Sequence, residues 1–94
     1  MINSFACKAT EAIFNDQQTP DLPSTIQATA RRKLVQINLA QILSDLRVPP
    51  GNHLEALKKD RAGQHSIRVN DKWRICFRWT AGGVEDVEIV DYHP

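Results

Sequence analysis

The stretch His65-Ser66-Ile67-Arg68-Val69-Asn70-Asp71-Lys72-Trp73-Arg74-Ile75-Cys76-Phe77-Arg78-Trp79 decides the fold. Its apolar residues alternate on both sides of Asn70-Asp71: Ile67 and Val69 before it, Trp73, Ile75, Phe77 and Trp79 after it. Alternation with period two belongs to strands that bury one face, and both sets must then share that face. Residues directly opposite one another in an antiparallel pair point to the same side. A two-residue turn at Asn70-Asp71 would set Ile67 against Arg74 and mix core with solvent. A three-residue loop, Asn70-Asp71-Lys72, sets Val69 against Trp73 and Ile67 against Ile75, so the pattern predicts that loop. On the opposite face the same register brings Arg68 against Arg74, with Arg78 further along. Like charges facing across strands cost up to ~1 kcal/mol. Either Glu88 or Asp86 on a third strand compensates, or an anionic ligand fills the gap between the arginines.

Downstream, Ala81-Gly82-Gly83 separates this hairpin from a third alternating segment, Val84–Val90, and completes a meander. Upstream, Pro23-Ser24 is a helix start signal, with Gln27 three residues later as in a capping box. From Thr25 to Leu46 there is neither Gly nor Pro, which predicts one long helix ended by Val48-Pro49-Pro50-Gly51. Val35, Leu39, Ile42 and Leu46 line one face of it, and Ala30, Leu34 and Ile37 form a second line. Two apolar lines imply two neighbours, the sheet and a shorter helix from about Lys8 to Phe14. Residues 1–6 are compatible with a brief strand. The fold class is α+β: a small antiparallel β-sheet with two N-terminal helices packed on one face, as a single domain over residues 1–94.

Composition agrees: 94 residues, 41% hydrophobic and 24% charged, is ordinary usage for one folded soluble domain. No apolar run approaches the ~20 residues of a membrane span, and Met1-Ile2-Asn3-Ser4-Phe5 lacks a signal peptide's regions. The expectation is a cytoplasmic protein without a membrane role. Cys7 and Cys76 are too few for a disulfide scaffold and read as small buried apolar residues in a reducing compartment. The net charge of +1 is unevenly spread. Residues 51–80 carry seven Lys/Arg against three Asp/Glu, and residues 81–94 carry four acids and no Lys or Arg. Such a layout means an anion-binding surface or strands whose charges pair.

The common hydrolase signatures are missing. His53, His65 and His93 lack metal-ligand spacing, no Cys-x-x-Cys is present, Gly82-Gly83 opens no helix, and nothing resembles a nucleophile elbow. No metal and no cofactor is expected. What remains is the cation cluster together with Asp91-Tyr92-His93. Cleaving RNA at a phosphodiester needs a base for the 2′-hydroxyl, cations for the developing phosphorane charge and an acid for the leaving 5′-oxygen. Lys58, Arg68, Arg74, Tyr92 and His93 could supply those roles if the C-terminus lies beside the sheet. Arginine suits phosphate because its planar fork stays charged and donates two parallel hydrogen bonds. Each also has a plain structural reading: Lys58 as a solvated loop charge, Tyr92 as a cap on the core, His93 as a terminal residue. His65 shares the Ile67 face by parity and reads as packed.

These residues resemble a known family. Leu54-Glu55-Ala56-Leu57-Lys58-Lys59-Asp60-Arg61-Ala62-Gly63, then His65 to Phe77, then Val87-Glu88-Ile89-Val90-Asp91-Tyr92-His93, together with Ile2-Asn3-Ser4-Phe5, are similar to HigB toxins of type II toxin–antitoxin systems, within the RelE/ParE superfamily. The resemblance implies a RelE-like fold and a ribosome-dependent endoribonuclease that cuts mRNA in the 30S A site without a metal ion and so arrests growth. It implies Lys58, Arg68, Arg74, Asp91, Tyr92 and His93 as active-site residues, the arginines on the scissile phosphate, Lys58 assisting with charge and the C-terminal residues in proton transfer or positioning. Lys59, Arg61 and Arg78 fall to substrate binding. The implied partners are a HigA-type helix-turn-helix antitoxin, the ribosome with its mRNA, and operator DNA only indirectly through the antitoxin. Two positions depart from the family pattern. Glu55 stands where many HigB proteins have histidine, with His53 two positions away. Lys59 stands where glycine is frequent, and a backbone needing positive φ there would be strained. The alternatives are a ParE-like toxin that inhibits DNA gyrase without cutting RNA, or a weakly catalytic protein whose basic face only docks an antitoxin.

Overall fold

The computed structural model describes residues 1–91. In chain order the elements are α1 (Lys8–Phe14), α2 (Ser24–Leu39), β1 (Glu55–Ala56), β2 (His65–Arg68), β3 (Trp73–Thr80) and β4 (Gly83–Asp91), with short 3₁₀ turns at Leu43–Arg47, Pro50–Asn52 and Lys59–Arg61. The strands form one antiparallel sheet in the order β1-β2-β3-β4. Both helices lie on one face of it, which agrees with the α+β, RelE-like reading.

The hairpin register is the expected one. Ile67 stands opposite Ile75 and Arg68 opposite Arg74, and the Val69 N–H reaches the Trp73 carbonyl at 2.9 Å. The Asn70 side chain closes the three-residue loop by accepting the N–H groups of Lys72 and Trp73 at 2.9 and 2.8 Å. An Asn carboxamide that captures its own downstream backbone is a turn former for that reason. On the helix side Ile67, Val69, Ile75, Phe77, Val84, Val87 and Ile89 meet Ile13, Ile26, Ala30, Leu34, Ile37 and Leu46 in one core, with Trp73 and Trp79 packed at its border.

β4 contains a bulge. The pairing shifts between Cys76 and Arg78, so that Asp86 and Val87 together oppose Phe77. Asp86 takes φ 55°, and its N–H is bonded to Ser4 Oγ at 2.9 Å. The extra residue lets Val84 and Val87, three apart, both point into the core. The N-terminal segment runs parallel along β4 through bridges Ile2–Val84 and Phe5–Val87, covering that edge. It comes so close that a Cβ on Gly83 (φ 135°) would lie 2.4 Å from the Asn3 side chain.

Three expectations are corrected. The helix does not run to Leu46: α2 ends at Leu39, and Ala40 is already extended with ψ 134°. The Asp45 carboxylate takes the N–H groups of Gln41 and Ile42 at 2.9 and 3.2 Å, offering the backbone an alternative to helix. The apolar line through Val35, Leu39, Ile42 and Leu46 therefore breaks. Leu39 and Ile42 are 71% and 59% exposed, while Leu46 returns to the core from a 3₁₀ turn. The Ser24–Gln27 capping box does not form; Gln27 instead donates to the carbonyls of Thr19 and Leu22 at 2.8 and 2.9 Å and pins the preceding loop. Finally, the sheet has a fourth strand, β1, two residues long.

Candidate active site

The face of the sheet away from the helices carries Ser66 and Arg68 from β2, Arg74, Cys76 and Arg78 from β3, and Glu88 and Val90 from β4. Two rows cross it. Glu55, Ser66, Cys76 and Glu88 stand side by side in one, and Arg68, Arg74 and Val90 in the next. The predicted clash between Arg68 and Arg74 is resolved, but not by Glu88 or Asp86. Arg68 pairs with Asp71 in the hairpin loop. Glu88 goes to Arg61 at 3.2 Å, and Asp86 goes to Arg78 at 3.3 Å.

Arg74 is held by neutral groups. Its Nε donates to Ser66 Oγ at 2.7 Å, and its Nη2 donates to the carbonyls of Ser66, at 3.3 Å, and of His53. Those bonds use the Nε hydrogen and both Nη2 hydrogens. Nη1 has no hydrogen-bond partner among the described residues, so a guanidinium of fixed orientation presents two free N–H groups. The expectation of a fork reaching phosphate through two nitrogens is thereby narrowed for Arg74 to an approach through Nη1 alone. Arg68, whose ion-pair partner Asp71 is 99% exposed, can exchange that carboxylate for a phosphate at little cost.

The other cations extend the face toward the far end of β2. The Leu57 N–H is bonded to the Gln64 carbonyl at 2.9 Å, which sets Lys58 and Lys59 just beyond that end. Gln64 to Arg68 is four residues, roughly 13 Å of strand at ~3.3 Å per residue. Arg61 is bonded to Gln64 Oε1 at 3.0 Å as well as to Glu88. Arg78 lies over Gly63 (φ 90°), where a Cβ would come within 2.9 Å of its Nη1. Lys58 and Lys59 are exposed and carry no ion pair among the described residues. Lys59 has φ 55°, the left-handed conformation its sequence position made a concern.

Asp91 is placed differently from the arginines. It pairs with Trp73 rather than Arg74, which puts it on the opposite side of β4 from Val90, and its carboxylate is 3.5 Å from Lys72 Nζ. Tyr92 and His93 lie outside the described residues. His65 is stacked on Phe77 with ring centroids 6.3 Å apart, as its parity implied. Sequence reasoning missed Ser66 and the His53 carbonyl as anchors of Arg74. Ser66 was detectable, because the register that opposes Arg68 to Arg74 makes Ser66 the diagonal neighbour of Arg74. The His53 carbonyl, 21 residues from Arg74, left no local signal. Glu55 is exposed, stands opposite Ser66 on the arginine face, and has no ion pair among the described residues.

Cys76 is fully buried under this face. Burial pushes its thiol above the ordinary range, Glu88 adds to that, and Arg61 and Arg74 oppose it. Cys7 and Cys76 are both free thiols. Among the described residues, no three His, Cys, Asp or Glu side chains gather closely enough to hold a metal ion, and no helix is long and apolar enough to cross a membrane.

Residues 3–93 match the family described as RelE-like toxin of type II toxin-antitoxin system HigB. The chain belongs to the HigB-like toxin family. It is 41% identical over 83 residues to Toxin HigB-1 of Vibrio cholerae serotype O1, covering 87% of each protein. An uncharacterized protein of Haemophilus influenzae is 35% identical over 66 residues, 70% of this chain and 65% of that protein. Among solved structures, a chain of the YoeB-YefM complex from Staphylococcus aureus superposes with a TM-score of 0.61 at 19% identity, covering 100% of this chain and 99% of that one, a likeness of fold. The protein is thus the toxin component of a type II toxin–antitoxin system, and the RelE-like toxins it groups with are generally endoribonucleases.

Proposed function

We propose that this toxin is a ribosome-dependent endoribonuclease that cuts mRNA during translation, in the 30S A site of the cytoplasmic ribosome, without a metal ion. The observation that carries the reading is Arg74: a guanidinium clamped by Ser66 and the His53 carbonyl, with Nη1 open and Arg68 directly across the strand. A cation fixed before the reaction stabilises developing charge without paying for reorganisation. Arg74 and Arg68 hold the scissile phosphate, and Lys58 adds charge. Lys59, Arg61 and Arg78 continue the basic face, which suits a chain of phosphates better than a single one.

The reaction begins with the RNA's own 2′-hydroxyl. Its oxygen bonds to phosphorus while its proton passes to a base, the bond to the 5′-oxygen breaks, and an acid returns a proton to that oxygen. A 2′,3′-cyclic phosphate and a free 5′-hydroxyl remain. Glu55, exposed on the arginine face, receives the 2′-hydroxyl proton on its carboxylate. Tyr92 and His93 donate to or orient the leaving group. Asp91, paired with Lys72, serves as a positioning residue at the end of β4. A HigA-type helix-turn-helix antitoxin neutralises the toxin and carries it to operator DNA.

The test is cleavage of a defined mRNA on programmed ribosomes, with the ends mapped by primer extension and naked mRNA run in parallel. Cuts on the ribosome alone support the reading. Cuts in naked mRNA at equal rate overturn ribosome dependence. Intact mRNA from a folded, growth-inhibiting protein overturns the nuclease, and inhibition of DNA gyrase by the same sample would then establish the ParE-like activity.

A further inference from the structure

A fully buried polar side chain persists only when its hydrogen bonds are made. Asn52 is 0% exposed and has partners on every side. Its Nδ2 donates to the Leu46 carbonyl at 3.1 Å and Gln36 Oε1 at 3.2 Å, with the Val48 carbonyl at 3.4 Å. Its Oδ1 accepts from Lys33 Nζ. One carboxamide thereby ties α2, through Lys33 and Gln36, to the chain that leaves it. Gln36 Nε2 adds a second tie to the Val48 carbonyl.

The next residue explains why this matters for the site. His53 is left-handed, φ 45° and ψ 60°, with its N–H on the Pro50 carbonyl at 3.1 Å. That turn aims the His53 carbonyl at Arg74 Nη2. Ser66 holds the guanidinium from β2, and His53 holds it from the segment that Asn52 fixes. With only the Ser66 anchor the guanidinium can swing, and Nη1 loses its defined direction.

We propose that Asn52 is a positioning residue for cleavage, setting the orientation of Arg74 through the His53 carbonyl; this rests on the nuclease reading above. The His53 imidazole has no part in it. Lys33 fits the same network: burial, then Arg32 and Arg68, draw its ammonium below the usual lysine range, and Asn52 Oδ1 is the acceptor it gains.

The variant to make is Asn52→Asp, which keeps size and the acceptor for Lys33 but removes the donor to Leu46 and Val48. Two quantities are read on the full-length protein: single-turnover cleavage against programmed-ribosome concentration, and the Arg74 Nε–H signal by ¹⁵N NMR. Asn52→Asp is expected to lower the maximal rate by on the order of 10²-fold, the scale set by misplacing a reacting group. The half-saturating ribosome concentration stays within about twofold, the pattern of an interaction made only in the transition state. The Arg74 Nε signal shifts and exchanges faster with solvent.

A wild-type maximal rate with an unmoved Nε signal in a folded Asn52→Asp protein would overturn the proposal, even if its melting temperature fell. Should Asn52→Asp fail to fold, Lys33→Met removes the Oδ1 partner alone. It is expected to lower rate and Nε protection in the same direction, and an unchanged rate and signal there also overturn the proposal. If wild type cuts no RNA while the Nε signal still responds to Asn52, the nuclease reading fails and the anchoring of Arg74 stands.

Discussion

Lys59 holds φ 55° in an exposed turn, where its Cβ crowds the following carbonyl. A left-handed backbone costs a residue with a Cβ about 1–2 kcal/mol. Replacing Lys59 with glycine removes that strain and adds about 0.4–1 kcal/mol of chain entropy to the unfolded state. The difference favours the variant, so Lys59→Gly is expected to stabilise the toxin by about 0.5–1 kcal/mol, read as a higher urea midpoint at unchanged slope. An unchanged or lower midpoint would show that the lysine side chain makes up for its backbone. The wild-type residue gives up that stability for a second cation next to Lys58. Arg68 and Arg74 show the contrast between a tethered and a clamped cation. Arg68 holds a carboxylate that water also solvates, whereas Arg74 is fixed through three hydrogen bonds to a serine and two carbonyls.

β3 is the central element, flanked by β2 and β4, and Cys76 lies at its middle between Ser66 and Glu88. Because burial raises its thiol, the folded protein keeps the proton at a pH where the unfolded chain has released it. Stability from this group is present at lower pH and is lost as pH rises through and beyond the ordinary thiol range, near 9. Wild type is therefore expected to lose stability faster than Cys76→Ala above that pH in parallel urea titrations. Equal slopes would contradict the buried thiol. The strands were legible because Ile67, Val69, Trp73 and Ile75 admit one register that buries them all. The end of α2 was not, because Asp45 decides it by bonding the backbone at Gln41 and Ile42, against favourable helix composition. The bulge had a visible trace: Val84 and Val87 are three apart, which a flat strand cannot bury on one face. The partner of Arg68 and the second anchor of Arg74 were hidden, since Asp71 lies in the loop itself and the His53 carbonyl comes from a distant turn.

At the scale of the molecule, the sheet separates two chemistries. Its helix side holds the single core, and its other side gathers Arg61, Arg68, Arg74 and Arg78, with Lys58 and Lys59 beyond the end of β2. Three of the four arginines are paired with acids at partly exposed positions. RNA phosphates can therefore replace carboxylates there without leaving a buried charge alone. Arg74 is the exception, already oriented by neutral groups and ready at Nη1. The most direct test of that role is the single-turnover rate of mRNA cleavage on programmed ribosomes by Arg74→Ala and Arg74→Lys, with antitoxin binding measured on the same samples. Both variants are expected to bind antitoxin like wild type. Arg74→Ala should lose on the order of 10²–10³-fold in rate, the scale of removing one transition-state donor. Lysine should not restore it, because an ammonium cannot hold Ser66 and His53 while presenting a directed N–H to phosphate. A wild-type rate in Arg74→Ala would contradict the account and leave Arg74 as a strut between β2 and the turn at His53.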